Sequence, residues 1–188
     1  TAFGLFNLVA VALWFHESSK RKNRHALRPA FLLRAWRGIV RHPAFIAFTA
    51  VTVGSYGGLF AFLSSSSFVF IEQLELTRSQ YGVLLFSTAF VYLLGTYLCR
   101  QLLKRLDVHR TVAIGGTLSL LGGGLTALHA WMGWHNVPAL LVPYYLFMLA
   151  HGIHQPCGQS GAVGPFPRAA GAASALGGFL MMTAAFLT

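Results

Sequence analysis

The densest group of potentially reactive side chains in the sequence is His151, His154 and Cys157, which recur every three residues within an apolar segment. That spacing brings the three towards one side of a helix. Imidazole and thiolate bind zinc and related metals, but the group offers no carboxylate and no fourth ligand. Ionisable groups in apolar segments are costly and often functional. The pattern therefore favours helix packing around Pro156, or a His151 that faces a cavity, over a metal site.

Histidine pairs also ligate haem in membrane redox proteins. Pairs among His129, His151 and His154 leave that alternative open, and a haem absorption band in the purified protein would favour it. A colourless preparation would remove the alternative. Our own expectation is a protein without a cofactor.

Aromatic and small polar side chains recur at helical spacing in three apolar segments. A wall of this kind suits flat amphipathic molecules, because they bind by contact area with few fixed hydrogen bonds. The candidate substrate-binding residues are Tyr56, Phe60, Tyr92, Tyr144, Met148, His151 and Gln155. The threonines on the same stripes are Thr49, Thr52, Thr88 and Thr96. Each stripe is also typical of packing between helices, with threonine hydroxyls bonded to their own helix.

The composition indicates that these segments lie in a membrane. Of the 188 residues, 55% are hydrophobic and 10% are charged, whereas an ordinary soluble domain carries roughly 25% charged residues. The mean hydropathy is +0.61. These values exclude a water-soluble globule, a disordered chain and a disulfide scaffold. We predict an all-α, multispanning membrane protein.

The apolar runs predict five full spans and the end of another helix. The predicted spans cover residues 43–70, 81–103, 111–132, 138–160 and 169–188. Residues 1–15 are too short to span alone, which takes about 20 residues, and resemble the end of a truncated helix. Residues 16–42 form the expected loop, with an amphipathic helix after Pro29. Small residues at Gly115, Ser119 and Gly123, and at Gly54 and Gly58, predict close helix contacts.

The basic residues set the orientation. If segment 20–41 faces the cytoplasm, thirteen of the 14 Lys and Arg lie inside and Arg78 alone lies outside. The positive-inside rule favours that orientation strongly. The net charge of +10 is therefore explained by loops near lipid, and we expect no nucleic-acid partner.

Four segments resemble the Bcr/CflA drug-resistance group of the major facilitator superfamily. They are Arg41–Phe45, Leu63–Ile71, Leu76–Gly82 and Gly164–Leu176. The last is the most specific, because Phe-Pro followed by Ala-Gly-x-Ala-Ser-Ala is similar to the group's loop from helix ten into helix eleven. Segment 95–110 is similar to a degenerate copy of the superfamily's cytoplasmic loop motif, with Gly95, Arg100, Lys104 and Arg105 at its glycine and basic positions. The expected early Asp is absent.

The resemblance implies a superfamily-type helical bundle that runs from the end of helix six through helix eleven of twelve. Residues 1–15 would end helix six, residues 16–42 would form the central loop, and residues 43–188 would form the carboxy-terminal half. The implied partners are the lipid bilayer and the missing amino-terminal half. The implied location is the bacterial inner membrane.

The resemblance further implies a transporter, not an enzyme, that exports small amphipathic drugs in exchange for protons. The predicted complete spans contain no Asp or Glu, so the coupling acids are expected in the amino-terminal half. Two alternatives remain: the haem-bearing redox subunit, and a sugar or metabolite carrier of the same superfamily. Such carriers usually need several carboxamides or charges in the cavity, and Gln155 is nearly alone here.

The orientation generates the first testable prediction. Single cysteines introduced at Asn136 and Pro165 should label from opposite sides of the membrane, because one span separates the two connections. An impermeant maleimide should label position 136, but not position 165, in intact cells. Labelling of both positions in intact cells would contradict the predicted topology.

Overall fold

The computed structural model of the chain describes residues 2–14 and 29–188. Contacts divide the chain into two units, Thr1–Leu33 and Arg34–Thr188. The first unit contains helix α1 (Ala2–Trp14), on which Leu5, Leu8 and Leu13 are exposed. Residues 16–28 of the predicted loop 16–42 lie outside the described residues.

The second unit consists of helices throughout. Helix α2 (Pro29–Val40) starts in the first unit and is followed by α3 (Pro43–Ser67), α4 (Arg78–Leu102), α5 (Val108–Trp131), α6 (Val137–Val163) and α7 (Ala170–Leu187). Helices α3 to α7 are long and apolar enough to cross a membrane. Within the described residues, this confirms the predicted all-α fold with five membrane-length helices.

Side-chain caps fix where the central helices begin. Thr77 and Gln80 form a reciprocal capping box at the start of α4. Asp107 Oδ1 accepts a hydrogen bond from the Arg110 backbone N–H at the start of α5, at 3.1 Å. Asn136 Oδ1 accepts one from the Ala139 N–H at the start of α6, at 2.9 Å. These caps satisfy backbone donors that the first turn of a helix leaves free.

Helix α3 runs further than the sequence pattern predicts. It continues into a π-helical turn, Phe68–Gln73, so the connection between the predicted spans 43–70 and 81–103 shortens to residues 74–77. The widened turn keeps Phe70 buried, with its ring 6.1 Å from that of Phe62. Apolar packing therefore extends the helix past its first polar residues.

Helix α6 is the centre of the second unit. More than half of its most apolar stretch is buried, compared with less than a quarter in each of the other four long helices. Helices α3, α4 and α5 pack around it, and α7 packs mainly against α3. A helix that is surrounded in this way positions the residues on its neighbours relative to one another.

The crossing of α4 and α6 depends on two glycines. A Cβ atom on Gly152 would lie 2.5 Å from the Tyr92 carbonyl oxygen and 2.7 Å from the Thr96 nitrogen. A Cβ atom on Gly95 would overlap the Leu149 carbonyl. The two backbones are therefore in direct contact, which small residues permit in membrane helices.

The predicted small-residue contacts are only partly right. Gly115 packs against the His154 ring and Gly58 packs against the Phe147 ring. A Cβ atom on Gly54 or Gly123 would meet no atom of a neighbouring helix within 4 Å among the described residues, and Gly122 makes the close approach to α6 instead. A ladder of small residues identifies a helix that packs, but it does not fix which residue of the ladder is in contact.

A histidine compensates for a proline inside α6. Pro143 has no N–H, so the Ala139 carbonyl one turn earlier lacks its helical donor. The Nδ1 atom of His129 on α5 lies 2.7 Å from that carbonyl oxygen and donates to it. The bond joins α5 to α6 at the point where the helix would otherwise leave a polar group unsatisfied.

The glycine crossing generates the second prediction. Gly95→Ala should lower the stability of the protein by about 1–3 kcal/mol, because the added methyl group overpacks a backbone contact. The matched control is Gly116→Ala on α5, where a Cβ atom meets nothing within 4 Å. Thermal unfolding in detergent checks both variants, and equal stability of the two would contradict the assigned crossing.

Candidate functional site

His151 is the centre of an aromatic cluster that three helices build. Its side chain is 4% exposed and lies midway along α6. The ring centroids of Tyr56 on α3 and Tyr92 on α4 each lie 5.5 Å from that of His151. Phe147 stacks one turn earlier on α6, at 6.2 Å. The structure thus brings together three of the predicted site residues, Tyr56, Tyr92 and His151.

A buried hydrogen bond fixes the orientation of the imidazole. His151 Nδ1 lies 2.7 Å from Ser55 Oγ on α3, and both residues are buried. Which atom donates depends on the imidazole tautomer. Ser55 is not among the predicted site residues. Its position three residues after Thr52, on the same polar stripe, was the available signal.

The accessible part of the cluster is aromatic. Tyr56 and Tyr92 are half-buried, whereas His151 and Ser55 are buried. Phe60 extends the surface along α3, because its ring stacks on Tyr56 at 6.1 Å with an interplanar angle of 21°. A molecule at this surface meets flat rings first, with one polar pair behind them.

Tyr144 lies in a different environment from the one the helical stripe suggests. Its ring stacks on Phe62 at 3.4 Å and lines a separate cavity of about 600 Å³ between α3, α5 and α6. Seven residues separate Tyr144 from His151, which is about 10 Å along a helix. Phe147 connects the two regions, with its ring 5.7 Å from that of Tyr144. The predicted stripe on α6 therefore contributes to both the aromatic cluster around His151 and the separate cavity that Tyr144 lines.

The other two predicted residues of α6 are Met148 and Gln155, which differ in burial. Met148 is buried, with 6% of its surface exposed. Gln155 is half-buried, and its Oε1 atom is shielded without a hydrogen-bond partner among the described residues.

Most of the predicted threonines bond to their own helices. Thr52, Thr88 and Thr96 each donate to a carbonyl three or four residues earlier. Such bonds satisfy a hydroxyl inside a membrane without a ligand. Thr49 differs, because its Oγ1 atom is buried without a partner among the described residues.

The residues of the predicted loop motif divide between packing and solvent. Gly95 lies within α4 at its contact with α6, and Arg100 occupies the last turn of α4. Lys104 and Arg105 are exposed in the connection between α4 and α5. The glycine thus has a packing contact, while the basic side chains are available to lipid phosphates or to other parts of the protein.

The histidines do not pair as haem ligands in the described part of the chain. His129 bonds to Ala139, which precedes His151 by about 18 Å of helix. His151 and His154 are three residues apart on one helix, so they do not face each other across a cofactor. Among the described residues, no group of three or more His, Cys, Asp and Glu side chains could hold a metal ion.

Comparisons with known proteins give the family. The family model described as Major Facilitator Superfamily matches residues 1–188. The chain is 29% identical to Multidrug resistance protein D of Escherichia coli over 79% of this chain and 37% of that protein. It is 26% identical to an uncharacterized transporter of Rickettsia felis over 69% of this chain and 34% of that protein. No solved structure matches the chain.

The chain spans about a third of the length of the curated relatives it matches. The family match nevertheless covers every residue, and the five membrane-length helices agree with it. This confirms the predicted resemblance to the superfamily. The chain belongs to the Major Facilitator Superfamily, whose members are multispanning membrane carriers and not enzymes.

Proposed function

We propose that this chain forms part of an exporter of small amphipathic compounds, including organic cations, across the bacterial inner membrane in exchange for protons. The observation that carries the proposal is the cluster of Tyr56, Tyr92 and His151 on three different spans. The similarity to Multidrug resistance protein D supports drugs as the substrate class.

The chemistry of the cluster suits such substrates. Tyrosine rings attract cations through their faces, and the attraction strengthens where water is excluded. They also offer area to flat apolar molecules without demanding one hydrogen-bond pattern. The Ser55–His151 pair supplies a single polar contact behind the rings, at 2.7 Å. A site of this type tolerates many ligands that share flatness and partial charge.

The alternative carrier of sugars or metabolites has less support. Hydroxyl-rich substrates need several fixed donors and acceptors, because each buried polar group must be satisfied. Tyr56, Tyr92 and His151 present rings, and Gln155 is the single carboxamide among the predicted site residues. We therefore favour the amphipathic substrate class.

Proton coupling requires titratable groups inside the membrane, and carboxylates are the usual choice. Helices α4 to α7 contain no Asp or Glu, and Glu72 lies in the terminal turn that follows α3. We therefore place the coupling acids in an amino-terminal half that completes the transporter. In this proposal α1 is the end of helix six, residues 16–42 are the cytoplasmic loop, and residues 43–188 are the carboxy-terminal half.

The proposal generates the third prediction, which concerns the full-length transporter in cells. Tyr92→Ala should change the export profile and lower resistance to cationic drugs about threefold to tenfold, the equivalent of a lost cation–π contact. His151→Ala should also change the export profile, because it removes the buried partner of Ser55 and the ring against which Tyr56 and Tyr92 pack. The matched control is Tyr97→Ala, because Tyr97 lies on the same helix with 61% of its surface exposed. Growth inhibition by a panel of cationic and neutral drugs, at equal membrane expression, checks the three variants.

Two outcomes would count against the proposed site. An unchanged export profile for Tyr92→Ala and His151→Ala would show that both residues serve only in helix packing. An equal loss for Tyr97→Ala would show that any aromatic deletion on α4 impairs the protein, and the cluster would then have no special role.

A further inference from the structure

Cys99 on α4 and Cys157 on α6 form a buried dithiol. Their sulfur atoms lie 3.3 Å apart, and the side chains are 2% and 1% exposed. They are the only cysteines in the 188 residues of the sequence. The substrate cluster around His151 uses neither of them.

The packing around the two thiols holds them together. Cys99 lies one helical turn after Gly95, where the backbones of α4 and α6 are in contact. The Cys99 thiol also lies 3.8 Å from the Ile153 carbonyl oxygen of α6 and donates to it. Apolar side chains enclose the pair, among them Leu98, Leu102 and Val112. The fold therefore leaves each thiol with the other as its closest reactive neighbour.

The separation of the sulfurs is short enough for a disulfide to form. Sulfur atoms in a disulfide lie about 2.05 Å apart, so the pair needs to close by about 1.3 Å. Side-chain rotation supplies movements of that size. Glutathione and thioredoxin keep the thiols of cytoplasmic proteins reduced, so formation of the disulfide requires an added oxidant.

We propose that Cys99 and Cys157 are a redox modification site that closes as an intramolecular disulfide under small two-electron oxidants of the peroxide class. The sulfur of one cysteine attacks a peroxide oxygen, the O–O bond breaks as the thiol proton passes to the departing oxygen, and a sulfenic acid and one water form. The second thiol attacks the sulfenic sulfur, the S–S bond forms, and a second water leaves. The peroxide gains the two electrons that the sulfurs lose.

The neighbouring thiol decides the product of oxidation. A sulfenic acid without a partner proceeds to sulfinic and sulfonic acids, whereas a thiol within contact distance captures it as a disulfide. Cys99 lies three residues before the end of α4, so a small neutral oxidant has a short distance to travel. The resulting bond ties the helix that carries Tyr92 to the helix that carries His151.

The experiment uses the full-length transporter in membrane vesicles exposed to hydrogen peroxide. After the peroxide is destroyed with catalase, free thiols are blocked with a maleimide in denaturant, and peptides are analysed by mass spectrometry without reduction. We expect a linked peptide containing Cys99 and Cys157 in more than about half of the chains. A reductant should remove it, and non-reducing gels should show monomer.

The matched control is the double variant Cys99→Ser with Tyr97→Cys, which moves the thiol to the exposed side of the same helical turn. This variant should give no intramolecular link. The proposal would be overturned if the wild-type thiols stayed free, oxidised separately to sulfinic acid, or formed links only between chains. Oxidation of glutathione in the same vesicle suspension verifies that the peroxide was active. A link of equal yield in the control variant would overturn it as well, because proximity at 3.3 Å would then have no role.

Discussion

The direct contact between the backbones of α4 and α6 is the constraint on which the rest of the structure depends. Gly95 and Gly152 remove the side chains that would hold these helices apart. In a membrane, burial of apolar side chains contributes little to helix association, because lipid is equally apolar. Close packing and hydrogen bonds between helices must supply the driving force. The contact brings Tyr92 against His151 on one side and Cys99 against Cys157 one to two turns further along. One crossing thus positions both the candidate binding surface and the dithiol.

Polar groups inside the helices also hold neighbouring helices together, because an unsatisfied polar group in hydrocarbon costs several kcal/mol. His129 donates to the carbonyl that Pro143 leaves free, which ties α5 to α6. Ser55 pairs with His151 and ties α3 to α6. His129 and His151 therefore have structural partners, whereas both ring nitrogens of the buried His154 lack a hydrogen-bond partner among the described residues. A polar residue at membrane depth is informative about function only after its protein partners have been identified.

The fold class and the number of spans follow from the sequence, because a run of about 20 apolar residues has few other stable structures. The cluster of Tyr56, Tyr92 and His151 could also be predicted from the sequence, because helical periodicity gives the face of its helix on which each residue lies. The environment of Tyr144 could not be predicted in this way. The neighbours of a helix change along its length, and periodicity gives the face on which a residue lies but not which neighbouring helices it meets there. Ser55 was missed as a partner for a related reason: a hydrogen bond across 96 positions depends on how α3 and α6 cross. The π-helical turn after α3 escaped prediction because packing of Phe70 outweighs the polar residues that follow.

The most direct test of the central claim is photoaffinity labelling of the full-length transporter with a diazirine-bearing cationic drug, followed by peptide mapping. The account predicts adducts on the half-buried aromatic surface at Tyr56, Phe60 and Tyr92, which an excess of the unmodified drug should prevent. Adducts confined to the cavity that Tyr144 lines, or to the exposed side of α4 at Tyr97, with equal protection by the unmodified drug, would contradict the account.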